Sequence, residues 1–347
     1  NDHTKGMFSD SLRNDESDFV MWDVRTGQQL SNTKIQGRSI YVADVHNDGR
    51  HFLLGAGRFA RELKGTVRLL NIDGEEIFTW KAPESFDGIR YMRLIGTERL
   101  LVVDGKNTLS LWNWVLKRPV YKIWLGQRQR SPIAITEDRQ TFAFAAAGED
   151  GTKSVYLLSI ANGRVLGILK LPKEEALTHL TFSPNGTKLA GTYARRGRES
   201  PVCIWDLEQR GEPALLTLPE QIGIARSDTF EWCDERRLYA MGDLFDTQLQ
   251  MVVWRYSLPR IGLTPSKLER LSTGKFLAGI VSRERLKVAP IDLPHPLVLQ
   301  RTSQMDPKQV FAIKAGTKVK MGAERSLLNQ DERPQTQGMW RRSITLL

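Results

Sequence analysis

Two cysteines in 347 residues are too few for a disulfide framework or a four-thiolate zinc site. Cys203 and Cys233 therefore read as reduced, buried thiols. Histidine is scarce as well: His3, His46, His51, His179 and His295 lack the helical spacing and neighbouring carboxylates of a metalloenzyme. No run of about eighteen apolar residues occurs, so no membrane-spanning helix is expected. The most apolar stretches, Leu100 to Val103 and Phe142 to Ala147, are strand-sized. A Gly-x-Ser-x-Gly nucleophile elbow is missing. Gly55-Ala56-Gly57 and Ser272-Thr273-Gly274-Lys275 fall short of phosphate-loop spacing and read as strand-end and hairpin glycines. Neither a cofactor nor a metal is expected. The opening Asn1-Asp2-His3-Thr4-Lys5 lacks an initiator Met and a signal-peptide apolar core, which reads as a processed or truncated start.

What is present is a globular balance, with 40% apolar and 26% charged residues. Lys+Arg number 50 and Asp+Glu 40, a net charge of +10. Because both signs are mixed along the chain, this is first a solvated surface that permits anionic partners without requiring them. A chain of this length divides into domains unless a repeat spreads one fold over it.

The sequence repeats one pattern: an apolar strand, a tight polar turn, a second apolar strand, a variable loop, and a third strand ending in Trp or Leu before a polar residue. Second-strand markers fall at Phe52, Leu100, Phe142, Leu189, Leu238 and Phe276. Third-strand markers are read at Trp22, Leu70, Trp112, Leu158, Trp205, Trp254 and Ala289. Both series keep a period of about 40 to 50 residues, the length of a sheet too small to bury its own faces. Asn47-Asp48-Gly49 and Asn185-Gly186 supply hairpin turns, and Glu76 to Trp80 is read as a fourth, outer strand. Long helical periodicity is absent, which excludes a helical solenoid.

Met21-Trp22-Asp23-Val24 and the unit from Leu180-Thr181-Phe182-Ser183-Pro184-Asn185-Gly186 to Ile204-Trp205-Asp206-Leu207 resemble WD40 repeats. The likeness covers about residues 18 to 296 and departs from the family in three respects, the first being that Trp-Asp survives only at Trp22-Asp23 and Trp205-Asp206. No Gly-His dipeptide occurs, and the structural Asp six residues before the Trp is replaced by Lys106 and Glu199. The resemblance implies an all-β fold, a seven-bladed WD40-like β-propeller with an incomplete first blade. An irregular segment (1–17) would precede it, and a short basic C-terminal extension (297–347), with a hairpin at Val310 to Lys320, would follow.

In a ring of that kind, loops joining second to third strands and loops joining consecutive blades emerge on one face. Those loops carry Arg58, Arg61, Lys64, Arg128, Arg130, Arg195, Arg196 and Arg198, with Glu149, Asp150, Asp243 and Asp246 as acidic interruptions. Arginine forks suit carboxylates and phosphates. The expected function is a non-catalytic scaffold that binds a protein or peptide partner, acidic in character, through these loops. A small-ligand binder or enzyme using a central channel is the alternative. Nucleic acid ranks last, because aromatic side chains do not interleave with the basic loops. Trp22, Trp112, Trp205 and Trp254 share the third-strand register and are expected to be buried. Trp80, Trp114, Trp124, Trp232 and Trp340 fall outside it and are candidate exposed anchors.

Overall fold

The computed structural model describes residues 5–11, 16–23, 29–36, 40–45, 51–56, 66–81, 88–126, 132–147, 152–171, 177–193, 200–209, 211, 213–218, 230–240, 243–257, 267–270, 276–281, 286–291, 296–305 and 341–343. Among them the fold is all-β, with one short helix.

Seven small antiparallel sheets follow one another along the chain. Sheet 1 holds β1 (Lys5–Ser11), β2 (Glu16–Asp23) and β3 (Gln29–Gln36). Sheet 2 holds β4 (Ile40–Val45), β5 (His51–Ala56), β6 (Thr66–Asn71) and β7 (Glu76–Lys81). In sheet 3 are β8 (Ile89–Ile95), β9 (Arg99–Asp104), β10 (Thr108–Asn113) and β11 (Arg118–Trp124). Sheet 4 comprises β12 (Ile133–Ile135), β13 (Thr141–Ala147), β14 (Lys153–Ser159) and β15 (Val165–Lys170). Sheet 5 comprises β16 (Leu177–Phe182), β17 (Lys188–Tyr193), β18 (Ser200–Asp206) and β19 (Ala214–Leu218). Four strands of sheet 6 are consecutive: β20 (Phe230–Trp232), β21 (Arg237–Ala240), β22 (Asp243–Asp246) and β23 (Met251–Ser257). Sheet 7 holds β24 (Lys267–Arg270), β25 (Phe276–Val281) and β26 (Leu286–Ile291). Helix α1 (Pro296–Gln304) follows, and β27 (Arg341–Ser343) returns as a fifth strand against β23.

The repeat reappears as a cross-strand pair. Phe52 lies opposite Leu70, Leu100 opposite Trp112, Phe142 opposite Leu158, Leu189 opposite Trp205, and Leu238 opposite Phe245. All ten side chains are buried. In sheets 1, 2, 3, 4 and 6 a β-bulge interrupts the next pairing immediately before the third-strand marker, at Met21/Trp22, Leu69/Leu70, Leu111/Trp112, Leu157/Leu158 and Leu244/Phe245. A bulge adds one residue to one strand and raises the local twist, so its recurrence marks equivalent positions.

Two expected markers are thereby corrected. In sheet 6 the marker is Phe245 and not Trp254, which sits on the following strand β23. In sheet 7 Phe276 pairs with Ile291, so Ala289 is not the equivalent position. The N-terminal segment expected to be irregular contains β1, paired with β2 from Lys5↔Asp23 to Ser11↔Ser17. The hairpin expected at 310–320 and the turn at 47–49 lie outside the described residues.

The chain divides into two compact units, Asn1–Thr178 and His179–Leu347, with the division inside β16. In the first unit, sheet 3 is buried on both faces by its neighbours in the chain. Leu100, Val102 and Trp112 join Leu53, Val67, Leu69 and Trp80 of sheet 2 in one core. Leu101, Val103, Leu109 and Leu111 join Phe142, Phe144 and Leu158 of sheet 4 in another. The alternation of a pleated strand thus sends successive residues of β9 into different cores, which is why Leu100 to Val103 is an unbroken apolar run. Each of these leucines contributes about 1.5 to 3 kcal/mol by burial. Trp80 and Trp112 meet across the first core with centroids 5.2 Å apart, and the Tyr121 hydroxyl donates to Ile160 O across the second at 2.8 Å.

In the second unit, Val202, Ile204 and Leu216 of sheet 5 form one core with Phe230, Trp232, Leu238 and Phe245 of sheet 6. Polar contacts reinforce it. Trp232 Nε1 donates to Thr181 O at 3.2 Å, and Lys188 Nζ donates to Glu235 O at 2.7 Å.

Candidate functional site

Hairpin turns set the ends of these strands. Asn185 Oδ1 accepts from Thr187 N at 2.9 Å, and Gly186 takes φ 76°, the positive value expected of the Asn-Gly turn. Gly55 lies within β5, where a Cβ would stand 3.3 Å from Met92 Cε of sheet 3. It lies near the end of its strand, where the sequence places it, and its closeness to Met92 adds a packing role between sheets that the sequence does not show.

The basic residues expected to meet a partner, Arg58, Arg61, Lys64, Arg128, Arg130, Arg195, Arg196 and Arg198, lie outside the described residues. Their flanking strands are placed. The first three fall between β5 and β6, the next two between β11 and β12, and the last three between β17 and β18. These are second-to-third-strand and sheet-to-sheet connections, the two classes that the repeat assigned them.

The acidic interruption expected in the sixth repeat is corrected. Asp243 and Asp246 belong to β22 and not to a loop. Asp246 has no exposed side-chain surface, and Arg236 Nε donates to it at 2.6 Å. Its other oxygen accepts the backbone N–H groups of Gln248 and Leu249, each at 3.0 Å. Beside it, Arg237 donates to Asp234 at 2.7 Å and to Leu299 O of α1 at 2.9 Å. These charges tie the β22–β23 turn and α1 to sheet 6, and the buried Asp246 carboxylate contributes nothing to a solvent-facing surface. Glu149 and Asp150 lie outside the described residues.

The tryptophans separate. Trp80, Trp112, Trp205, Trp232 and Trp254 are buried, and Trp114 is half-buried with its ring 4.9 Å from Phe78. Trp124, at the end of β11, is 64% exposed. Other apolar side chains on outer strands are also exposed: Ile77 on β7, Val120 on β11, Leu215 on β19, and Val165, Leu166 and Ile168 on β15. Sequence reasoning missed these. The available signal was that β15, Val-Leu-Gly-Ile-Leu-Lys, carries none of the polar alternation expected of a strand with a wet face.

Among the described residues two groups titrate abnormally, both through burial. The Tyr121 hydroxyl is pushed up to about 12. The Cys203 thiol is also pushed up to about 12, with a Tyr193 hydrogen bond opposing the rise. Cys203 is therefore a packed, inert thiol, and Cys233 is likewise buried and forms no disulfide. No group of three or more His, Cys, Asp or Glu arranged to hold a metal occurs among the described residues. No helix among them is long and apolar enough to cross a membrane.

No protein-family model matches the chain, and no curated protein matches it.

Proposed function

We propose that the seven sheets are the blades of a divergent WD40-like β-propeller, and that the protein is a non-catalytic scaffold for a protein or peptide partner. The observation that carries this reading is the recurrence of one buried cross-strand pair, Phe52–Leu70, Leu100–Trp112, Phe142–Leu158, Leu189–Trp205 and Leu238–Phe245, in sheets that bury their faces against chain neighbours. A sheet sandwiched in this way has only its connections and its outer edge left for recognition. The connections carry the arginine-rich segments, whose forked guanidinium groups fit carboxylates of an acidic partner.

The test is binding of a partner isolated from the native source, measured with the purified chain and with Arg195→Glu/Arg196→Glu/Arg198→Glu. A loss of tenfold or more, about 1.4 kcal/mol, supports recognition through the loops. Unchanged affinity, or turnover of a small substrate by the purified chain, contradicts the reading.

A further inference from the structure

Beyond the loops, the geometry points to a second docking surface: the outer edge of sheet 4, where β15 would accept an extended segment of a partner protein as a fifth strand. The segment would be apolar in its middle and acidic at both ends.

β15 is the terminal strand of its sheet, and no strand pairs with its outer side among the described residues. Its backbone N–H and C=O groups on that side are a template for another strand. Val165, Leu166 and Ile168 are 58%, 59% and 57% exposed, so the edge offers apolar contact along with hydrogen bonds. The surface continues onto the next sheet, because the turn before β15 packs against β11. A Cβ on Gly163 would stand 2.8 Å from Ile123 Cδ1 and 3.1 Å from Tyr121. Trp124 at the end of β11 adds an exposed aromatic side chain.

Charge chooses the occupant. Arg164 and Lys170 bracket β15, and Lys117, Arg118 and Lys122 lie on or beside β11. Neither Trp114 to Trp124 nor Ala161 to Lys170 contains a carboxylate. The outer strand of sheet 2 differs, since Glu76 begins β7 and pairs with Arg68 at 3.6 Å. A second copy of the chain is disfavoured. Antiparallel self-pairing centred on Gly167 sets Arg164 of each copy opposite Lys170 of the other, and parallel pairing sets like on like. An acidic-ended partner strand meets both cations with opposite charge. Within the chain, β27 already lies as an added strand on the outer side of β23, so an outer edge of this repeat takes a fifth strand.

The probe is a fluorescein-labelled peptide, Asp-Glu-Val-Ile-Val-Leu-Glu-Asp, titrated with the full chain by anisotropy. Three comparisons accompany it: the same peptide with Lys at every acidic position, the same peptide N-methylated at alternate backbone nitrogens, and Leu166→Glu/Ile168→Glu protein. Saturable binding is expected, weakened roughly tenfold or more by each of the three changes and by raised salt. The loop variant Arg195→Glu/Arg196→Glu/Arg198→Glu should bind the peptide unchanged, which separates failure of this surface from failure of the loop reading. If Leu166→Glu/Ile168→Glu loses its folded circular dichroism, Arg164→Glu/Lys170→Glu provides the same readout. The proposal is overturned by equal binding of acidic and basic peptides, by N-methylation without effect, or by no binding at the highest soluble concentration. Binding to anionic lipid vesicles without binding to the peptide, or dimerisation abolished by the β15 substitutions, would overturn it too.

Discussion

At the scale of single residues, the side chains that hold sheets together are distinct from those left in water. Asp246 is the sharpest case, because it is wholly buried with a charge that Arg236 and two backbone N–H groups neutralise. Removing one member of such a group leaves the other buried and uncompensated, so Asp246→Ala should destabilise the chain by about 3 to 5 kcal/mol in urea unfolding. Trp112→Ala should cost about 3 to 5 kcal/mol, because that ring fills the core between sheets 2 and 3. Trp124→Ala should stay within about 0.5 kcal/mol, since its side chain lies mostly in water.

Tyr121 makes a pH prediction. Its folded value of about 12 lies above the ordinary 10.0, so the folded state holds the proton longer than the unfolded state does. That contribution is complete below pH 10.0 and disappears as pH rises to about 12. Unfolding midpoints of Tyr121→Phe should therefore fall less steeply than wild type over that window. Parallel curves would contradict the assignment.

At the scale of elements, the hairpins and the repeat period were legible because turn chemistry and alternation are local. Asn185-Gly186 needed nothing beyond its neighbours to be read as a turn. The sixth repeat was misread for a physical reason. Its second and third strands are separated by two residues and its third strand, β22, is four residues long, so the period points past it to Trp254 on the next strand. That next strand also looks like a core strand, because β27 pairs on its outer side and Met251 to Trp254 are all buried. The apolar run of β15 is legible in the sequence, but its exposure is not. An apolar run reads the same whether neighbours cover it or not, and only tertiary packing decides. The basic loops were legible as composition alone, since where such segments point is not written in local pattern.

Gly163 tests the element scale directly. Its φ of 73° favours glycine, and a Cβ there would press on Ile123 and Tyr121. Gly163→Ala should destabilise by about 1 to 2 kcal/mol from the backbone alone, with crowding adding to it. Gly211, where a Cβ meets nothing and φ is not positive, is the control: Gly211→Ala should be near neutral.

At the scale of the molecule, equivalence among sheets is what would make a propeller of them. Sheets 2 to 6 repeat the same buried pairing, and in sheet 3 both faces are consumed by the sheets before and after it in sequence. Continued through all seven, with the ends joined, that arrangement is a propeller; left open, it is a stack. The two differ most in the separation of the first and last sheets.

That separation is the decisive measurement: the spin-label distance between Thr33→Cys on β3 and Lys287→Cys on β26, with the buried Cys203 and Cys233 left in place. Face-to-face sheets lie about 10 Å apart, so a closed ring that makes these two sheets neighbours predicts a single distance below about 30 Å, label arms included. A distribution centred near 60 Å, six sheet spacings, would contradict closure and with it the propeller.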